Sequence, residues 1–186
     1  MIKNLWVLAA LVVASAPALA QQEEETLVAG DFHSGGFGAP VVKLGEVADD
    51  FAVFVGGRGG WIINHTFVLG GGGYGLANDV DLDGDGVRDI EFGYGGLELE
   101  YINSSSKLIH FTIYTLIGGG GISTNIGEDG VFVLEPTLNG ELNVTSYFRV
   151  NAGVGYRWVS GIDTPGLSSS NMSSFMGMVA LKFGAF

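Results

Sequence analysis

An all-β fold, eight antiparallel strands closed up-and-down into a barrel, is predicted by three observations on this 186-residue chain. Apolar and polar residues alternate with period two over long stretches. The segments between those stretches alternate between short and long. The 32 glycines lie mostly within the apolar stretches, a share of about 17% where about 7% is usual. Only four prolines accompany them and no G-X-Y repeat occurs, which excludes collagen. Twelve Phe, six Tyr and three Trp, with abundant Val, Leu and Ile, exclude a chain too polar to fold. A net charge of -12 argues against a nucleic-acid partner, because phosphate binding needs clustered Lys and Arg.

Residues 1–20 read as a secretory signal peptide. Lys3 supplies the positive start, Leu5 to Val13 the apolar stretch, and Ala18-Leu19-Ala20 a small-x-small cleavage site before Gln21. The apolar run is too short for a spanning helix, which needs about 20 residues. Residues 21–32 form an acidic N-terminal segment beginning QQEEET, and 33–186 form the barrel. With no cysteine, the chain needs no disulfide in an oxidising compartment and has no thiol for a lipid anchor.

The strands are expected near 39–48, 50–63, 66–78, 90–102, 108–124, 131–144, 148–162 and 174–186. The boundary between the first two, at Ala48 to Asp50, is the least defined. In the second, Gly56 and Gly60 share a face with Arg58, leaving room beside a long cation. The fourth contains Leu97-Glu98-Leu99-Glu100-Tyr101, and a turn pairing 102 with 108 sets Glu100 opposite His110. In the sixth, Leu134, Leu138, Leu142 and Val144 oppose Glu135, Thr137, Asn139, Glu141 and Asn143. The seventh alternates Phe148, Val150, Ala152, Val154, Tyr156 and Trp158 with Arg149, Asn151, Gly153, Gly155 and Arg157. Period two with both arginines on one face is a strand, since a helix would spread them around its circumference. A turn at Thr145 to Tyr147 sets Asn143 opposite Arg149 and Glu135 opposite Arg157, so that acid meets base across the pair.

The connections Asn64-His65, Asn103 to Lys107 and Thr145 to Tyr147 are tight, whereas Asp79 to Asp89, Asn125 to Gly130 and Asp163 to Ser173 are long. Short turns at one end and long loops at the other are the mark of a transmembrane β-barrel of the outer membrane. Strands of about 13 residues, tilted about 40°, rise roughly 33 Å and cross its apolar band of about 25 Å. The charged faces are therefore assigned to the lumen: Arg58, Glu98, Glu100, His110, Glu135, Glu141, Arg149 and Arg157. Trp61, Tyr101 and Trp158 fall at the two interfaces. The rival arrangement is a secreted soluble barrel with its charges outward, binding a small apolar ligand as lipocalins do.

The segments GGRGGWIIN (56–64), GGGGYGL (70–76), FGYGGLELEY (92–101) and FMGMVALKFGAF (175–186) resemble the small eight-stranded outer-membrane proteins of the OmpA-domain, OmpX and OmpW type. The resemblance covers essentially all of the mature chain and is closest to outer-membrane barrels without an assigned role. It implies an outer-membrane location among lipid and lipopolysaccharide, a monomer, and a terminal aromatic, Phe186, read by the barrel-assembly machinery. Phe186 departs from the usual pattern: it lies in the opposite register from Phe175, Val179, Leu181 and Phe183, with Lys182 and Gly184 where apolar residues are usual.

One connection has a chemistry of its own. Asp79, Asp81, Asp83, Asp85 and Asp89 make DxDxDGDGxxD, and from Asp81 the run fits positions 1, 3, 5 and 9 of a calcium loop, with Gly86 at the turn. Position 12 is Phe92 rather than Glu, with Glu91 and Asp79 as the nearest substitutes. A weak calcium site is the expectation, and calcium the only cofactor. The Gly70-x-Gly72-x-x-Gly75 match to a dinucleotide loop lacks a following helix. A lipid-modifying enzyme would need a base near the outer leaflet, and His110 with Glu100 is the nearest approach to a catalytic pair. The expected role is structural, surface-interacting or small-solute-related, and not enzymatic.

Overall fold

The computed structural model describes residues 33–80, 90–124, 127–164 and 167–186. Residues 1–32, where the signal peptide and the acidic segment are expected, and Asp81, Asp83, Asp85 and Asp89 lie outside the described residues. The strands are β1 (Ser34–Val47), β2 (Asp50–Ile63), β3 (Phe67–Leu76), β4 (Ile90–Ile102), β5 (Ile109–Thr124), β6 (Glu128–Asn143), β7 (Phe148–Ser160) and β8 (Ser174–Ala185), with a one-turn helix α1 (Ser169–Met172) before β8. Each strand pairs antiparallel with the next, and β1 closes the barrel on β8.

Where the strands begin and pair departs from the sequence reading at four places. The first strand starts at Ser34 rather than 39, since Gly35 to Ala39 continue the ladder opposite Arg58 to Ile62. Glycine carries no side chain, so SGGFG shows no alternation to read. The 125–130 loop shrinks to residues 125–127, because Glu128, Asp129 and Gly130 pair with Ser123, Ile122 and Gly121. The first connection is a two-residue turn, Ala48 (φ 52°) and Asp49 (φ 65°), the backbone twist that suits a tight hairpin. Long connections at that end are thus two, 77–89 and 161–173. Finally, β4 and β5 pair Ile102 with Thr112, not with 108, which places Glu100 opposite Tyr114. Closing a barrel demands a stagger between neighbouring strands. The four-residue slip is even, so it changes partners without moving any side chain to the other face. The β6–β7 hairpin has the expected register, with Asn143 opposite Arg149.

The outer face is apolar around the whole barrel, with Val42, Leu44, Leu69, Leu99, Ile113, Leu138, Val154 and Leu181 all exposed. Exposed aromatics gather near both rims: Trp61, Phe67, Tyr101, Phe111 and Phe183 toward the short turns, and Phe51, Phe132, Trp158 and Phe175 toward the long connections. The inner face is layered. Val47, Ala52, Phe54, Ile90, Phe92, Ile122, Val133, Val159 and Met172 make an apolar layer beneath the long connections. Below it the interior turns polar.

Glycines serve both faces, for different reasons. On the inner face, a Cβ on Gly72 would lie 2.3 Å from Glu98 Oε1, and one on Gly153 would lie 2.1 Å from Asn139 Oδ1. These glycines make room for the polar interior. On the outer face, Gly75, Gly93, Gly121 and Gly130 form one cross-strand row. A Cβ at Gly75 or Gly130 would meet nothing within 4 Å.

Candidate functional site in the barrel interior

Period two in β2, β4, β6 and β7 turns Arg58, Glu98, Glu100, Glu135, Glu141, Arg149 and Arg157 into the lumen, and β5 adds His110; none is more than 7% exposed. Two lysines missing from the sequence reading of the lumen, Lys43 on β1 and Lys182 on β8, complete the set at 0% and 1%. Their signal was present, since each lysine is flanked by apolar residues that alternate with it.

The charges form three linked groups. Arg58 grips two carboxylates, Nε donating to Glu98 Oε2 and Nη2 to Glu100 Oε2, both at 2.8 Å. The hydroxyls of Tyr74 and Tyr114 donate to Glu98 Oε1 at 2.7 and 2.9 Å. Lys182 joins this group to the next by donating to Glu100 at 2.8 Å and to Glu141. Glu141 also accepts from Arg149 at 3.0 Å and Asn151 at 3.2 Å, and faces His110 Nε2 at 3.2 Å. In the third group Lys43 donates to Glu135, whose other oxygen accepts from Tyr94 at 2.6 Å. The Lys43 ammonium lies 3.2 Å from the centroid of the Tyr74 ring, and the Arg58 guanidinium 4.2 Å from that of Tyr114. Aromatic faces thus contribute to solvating cations withdrawn from water.

Two expected pairs do not meet. Glu135 takes Lys43, and Arg157 instead donates to the carbonyls of Met172 (3.0 Å) and Glu46 (2.7 Å), with its guanidinium 4.4 Å from the Phe54 ring centroid. Arg157 therefore ties α1 to the end of β1. His110 faces Glu141, not Glu100, and its Nδ1 faces the Lys107 carbonyl at 3.1 Å. The sequence's best approach to a catalytic pair is not assembled. Phe186 stacks against Phe37, with ring centroids 6.3 Å apart, and lies 4.0 Å from the Arg149 guanidinium. Its ring lines the short-turn mouth from within.

Comparison with solved structures places this architecture. The chain superposes on the N-terminal β-barrel domain of Pseudomonas aeruginosa OprF with a TM-score of 0.61 and 11% identity, over 83% of this chain and 99% of that one. The chain has the fold of a small eight-stranded outer-membrane barrel. Neisserial surface protein A matches with a TM-score of 0.57 and 10% identity, over 84% of this chain and 99% of that one. No protein-family model matches the sequence, and no match is found among curated proteins.

Within this outer-membrane barrel fold the interior is built as a packed polar core. Tyr114, Lys43, Glu135 and Arg157 are all 0% exposed, so these polar groups are met by other protein groups and not by bulk solvent. Buried ion pairs repay their desolvation only when geometry is good and further hydrogen bonds satisfy both partners. On the carboxylate side Glu98 and Glu141 meet that condition, each holding three or more donors, whereas Nη1 of Arg58 is buried without a hydrogen-bond partner. Among described residues the interior holds five cations, Lys43, Arg58, Arg149, Arg157 and Lys182, against four carboxylates. Arg157 is the cation served by carbonyl dipoles.

Proposed function

We propose that this chain is an outer-membrane protein whose barrel is a closed scaffold, presenting its two long connections at the cell surface, and not an open pore. The observation that supports it is the inversion of polarity: charges inside, apolar and aromatic residues outside. A soluble barrel that carries an apolar ligand requires the opposite. A structural or surface-interaction role follows from an interior packed with side chains. A small solute could pass only if the Arg58, Lys182 and Glu141 groups parted. The implied surroundings are lipid and lipopolysaccharide, with Phe186 as the assembly signal in the unfolded chain, before its ring docks beside Phe37 and Arg149.

Membrane fractionation with heat-modifiable gel migration tests the reading. The protein is expected in the outer-membrane fraction, migrating faster unheated than boiled; recovery in a detergent-free soluble fraction would overturn it. Val154→Arg, on the outer face halfway along β7, is expected to cost about 2–4 kcal/mol in bilayers, because a cation near the midplane of the lipid face is expensive. Denaturant titration of the refolded protein in vesicles measures this, and an unchanged midpoint would speak against lipid contact there.

The Asp79 to Asp89 run is proposed as a weak calcium site, supported by its alternating carboxylates. Calorimetry should detect binding that Asp83→Ala abolishes, with a dissociation constant of about 10⁻⁴–10⁻³ M. Identical heats for both proteins would reject it.

A further inference from the structure

We propose that a glycine-floored trough on the outer wall, where β3 to β6 approach the long connections, binds a cationic amphiphile, an alkyl chain ending in an ammonium group. The floor is the cross-strand row Gly75, Gly93, Gly121 and Gly130, with the row Gly57, Gly73, Gly95 and Gly119 beside it toward the short turns. On the other side runs the row Glu91, Ser123 and Glu128. The glycines and both carboxylates line one open cavity of about 790 Å³, within the size range of small-molecule sites. Exposed Val55 and Phe132 stand at its two ends. Four glycines at about 4.8 Å per strand make a floor about 14 Å long.

Neither backbone conformation nor local packing requires glycine across this floor. Among the described residues only Gly161 has a positive φ. An added Cβ would come no nearer than 3.5 Å to any neighbour at Gly57, Gly73, Gly93 and Gly121, and would meet nothing within 4 Å at Gly75 and Gly130. The ladders run unbroken through all of them, so no bulge is present. Curvature is supplied from the concave side, where a Cβ on Gly70, Gly118 or Gly120 would lie 2.1–2.2 Å from a backbone oxygen. Glycine weakens a strand by its backbone entropy and its lack of packing, and where neither bulge nor bend asks for it, it marks close approach from outside.

The carboxylates select what approaches. Glu91 and Glu128 are both exposed and make no hydrogen bond or ion pair among the described residues. A second copy docking by the same patch would set these acids against their equals, since a two-fold contact is self-complementary. An anionic headgroup is repelled, and a neutral chain leaves both charges unanswered. A cation at that edge is attracted, more strongly because the apolar wall lowers the local dielectric. The floor's backbone is fully paired within a closed barrel, so it cannot take an added strand. The occupant that fits both parts is an apolar chain along the glycines with an ammonium group beside Glu91 and Glu128.

This site rests on the outer-membrane reading, because it faces lipid. The test titrates hexadecylammonium into the full-length protein in phosphatidylcholine nanodiscs, with hexadecanol and hexadecyl phosphate as neutral and anionic controls, read by calorimetry and by the glycine amide NMR signals. Saturable binding of hexadecylammonium alone is expected, with shifts confined to the trough. Glu91→Gln with Glu128→Gln should weaken it at least about tenfold, the loss of a charge-assisted contact. Gly93→Leu puts a side chain into the trough and should abolish binding while the heat-modifiable migration of the folded barrel is kept. Equal binding of the three amphiphiles, no saturable binding, or a Gly93→Leu protein that binds like the wild type would overturn the site. Each of these can occur in a protein that still fractionates with the outer membrane, so loss of the site and loss of the membrane reading are told apart.

Discussion

Replacing Glu141 by alanine is expected to cost about 3–5 kcal/mol of folding stability, the penalty for breaking a buried ion pair and stranding its partner. Glu141 is 1% exposed and accepts from Lys182, Arg149 and Asn151 while facing His110. Without it Lys182 keeps Glu100 and the Phe37 ring, and Arg149 keeps its contact with the Phe186 ring. Adding Lys182→Met removes one stranded charge, so the double variant should lose less than the sum of the single ones. Asp50→Asn, at an exposed rim position, should shift stability by no more than about 0.5 kcal/mol. Urea titrations in micelles, read by tryptophan fluorescence and gel migration, supply all four values. A Glu141→Ala loss below about 1 kcal/mol would mean that water enters the lumen and solvates the cations, contrary to a packed interior.

Gly56→Ala and Gly75→Ala should move stability in opposite directions. A Cβ on Gly56 would lie 2.0 Å from the Gly73 carbonyl oxygen and 2.7 Å from Tyr74 Cδ1, so backbone and a buried ring must both shift. Overpacking of this kind costs about 3 kcal/mol, and failure to refold is an equally acceptable outcome. A Cβ on Gly75 meets nothing within 4 Å. Removing a strand glycine there should raise stability by about 0.5–1 kcal/mol through the smaller entropy of the unfolded chain. The same urea titration compares them. Equal effects would show that the glycines are interchangeable and that the inner face does not depend on close approach at Gly56.

How much could be read from the sequence depended on whether a residue's face or its partner was in question. Face follows from parity along one strand. Arg58, Glu98, Glu100, Glu135, Glu141, Arg149 and Arg157 were therefore assignable to one side, and all are buried there. Partnership depends on the stagger between strands and on reach across the lumen. Glu100 was expected beside His110 but lies opposite Tyr114, four residues along β5. Glu135 was expected to meet Arg157 on the neighbouring strand, yet its cation is Lys43, three strands away around the barrel. A lone lysine in Val42-Lys43-Leu44 has nothing beside it in sequence to announce such a contact. Gly35 to Ala39 escaped detection for another reason, since a strand dominated by glycine has no alternation to show.

By itself the sequence determined that the barrel region is all-β, that it needs about eight strands, and which side chains share a face. Those properties are local, set by the two-residue repeat of an extended backbone and by the chemistry of the alternating residues. Only the tertiary structure decided which charges pair and that Arg157 binds backbone carbonyls under α1. Barrel closure brings residues from distant strands within about 3 Å of one another across a narrow lumen, and no spacing along the chain encodes which of them will meet.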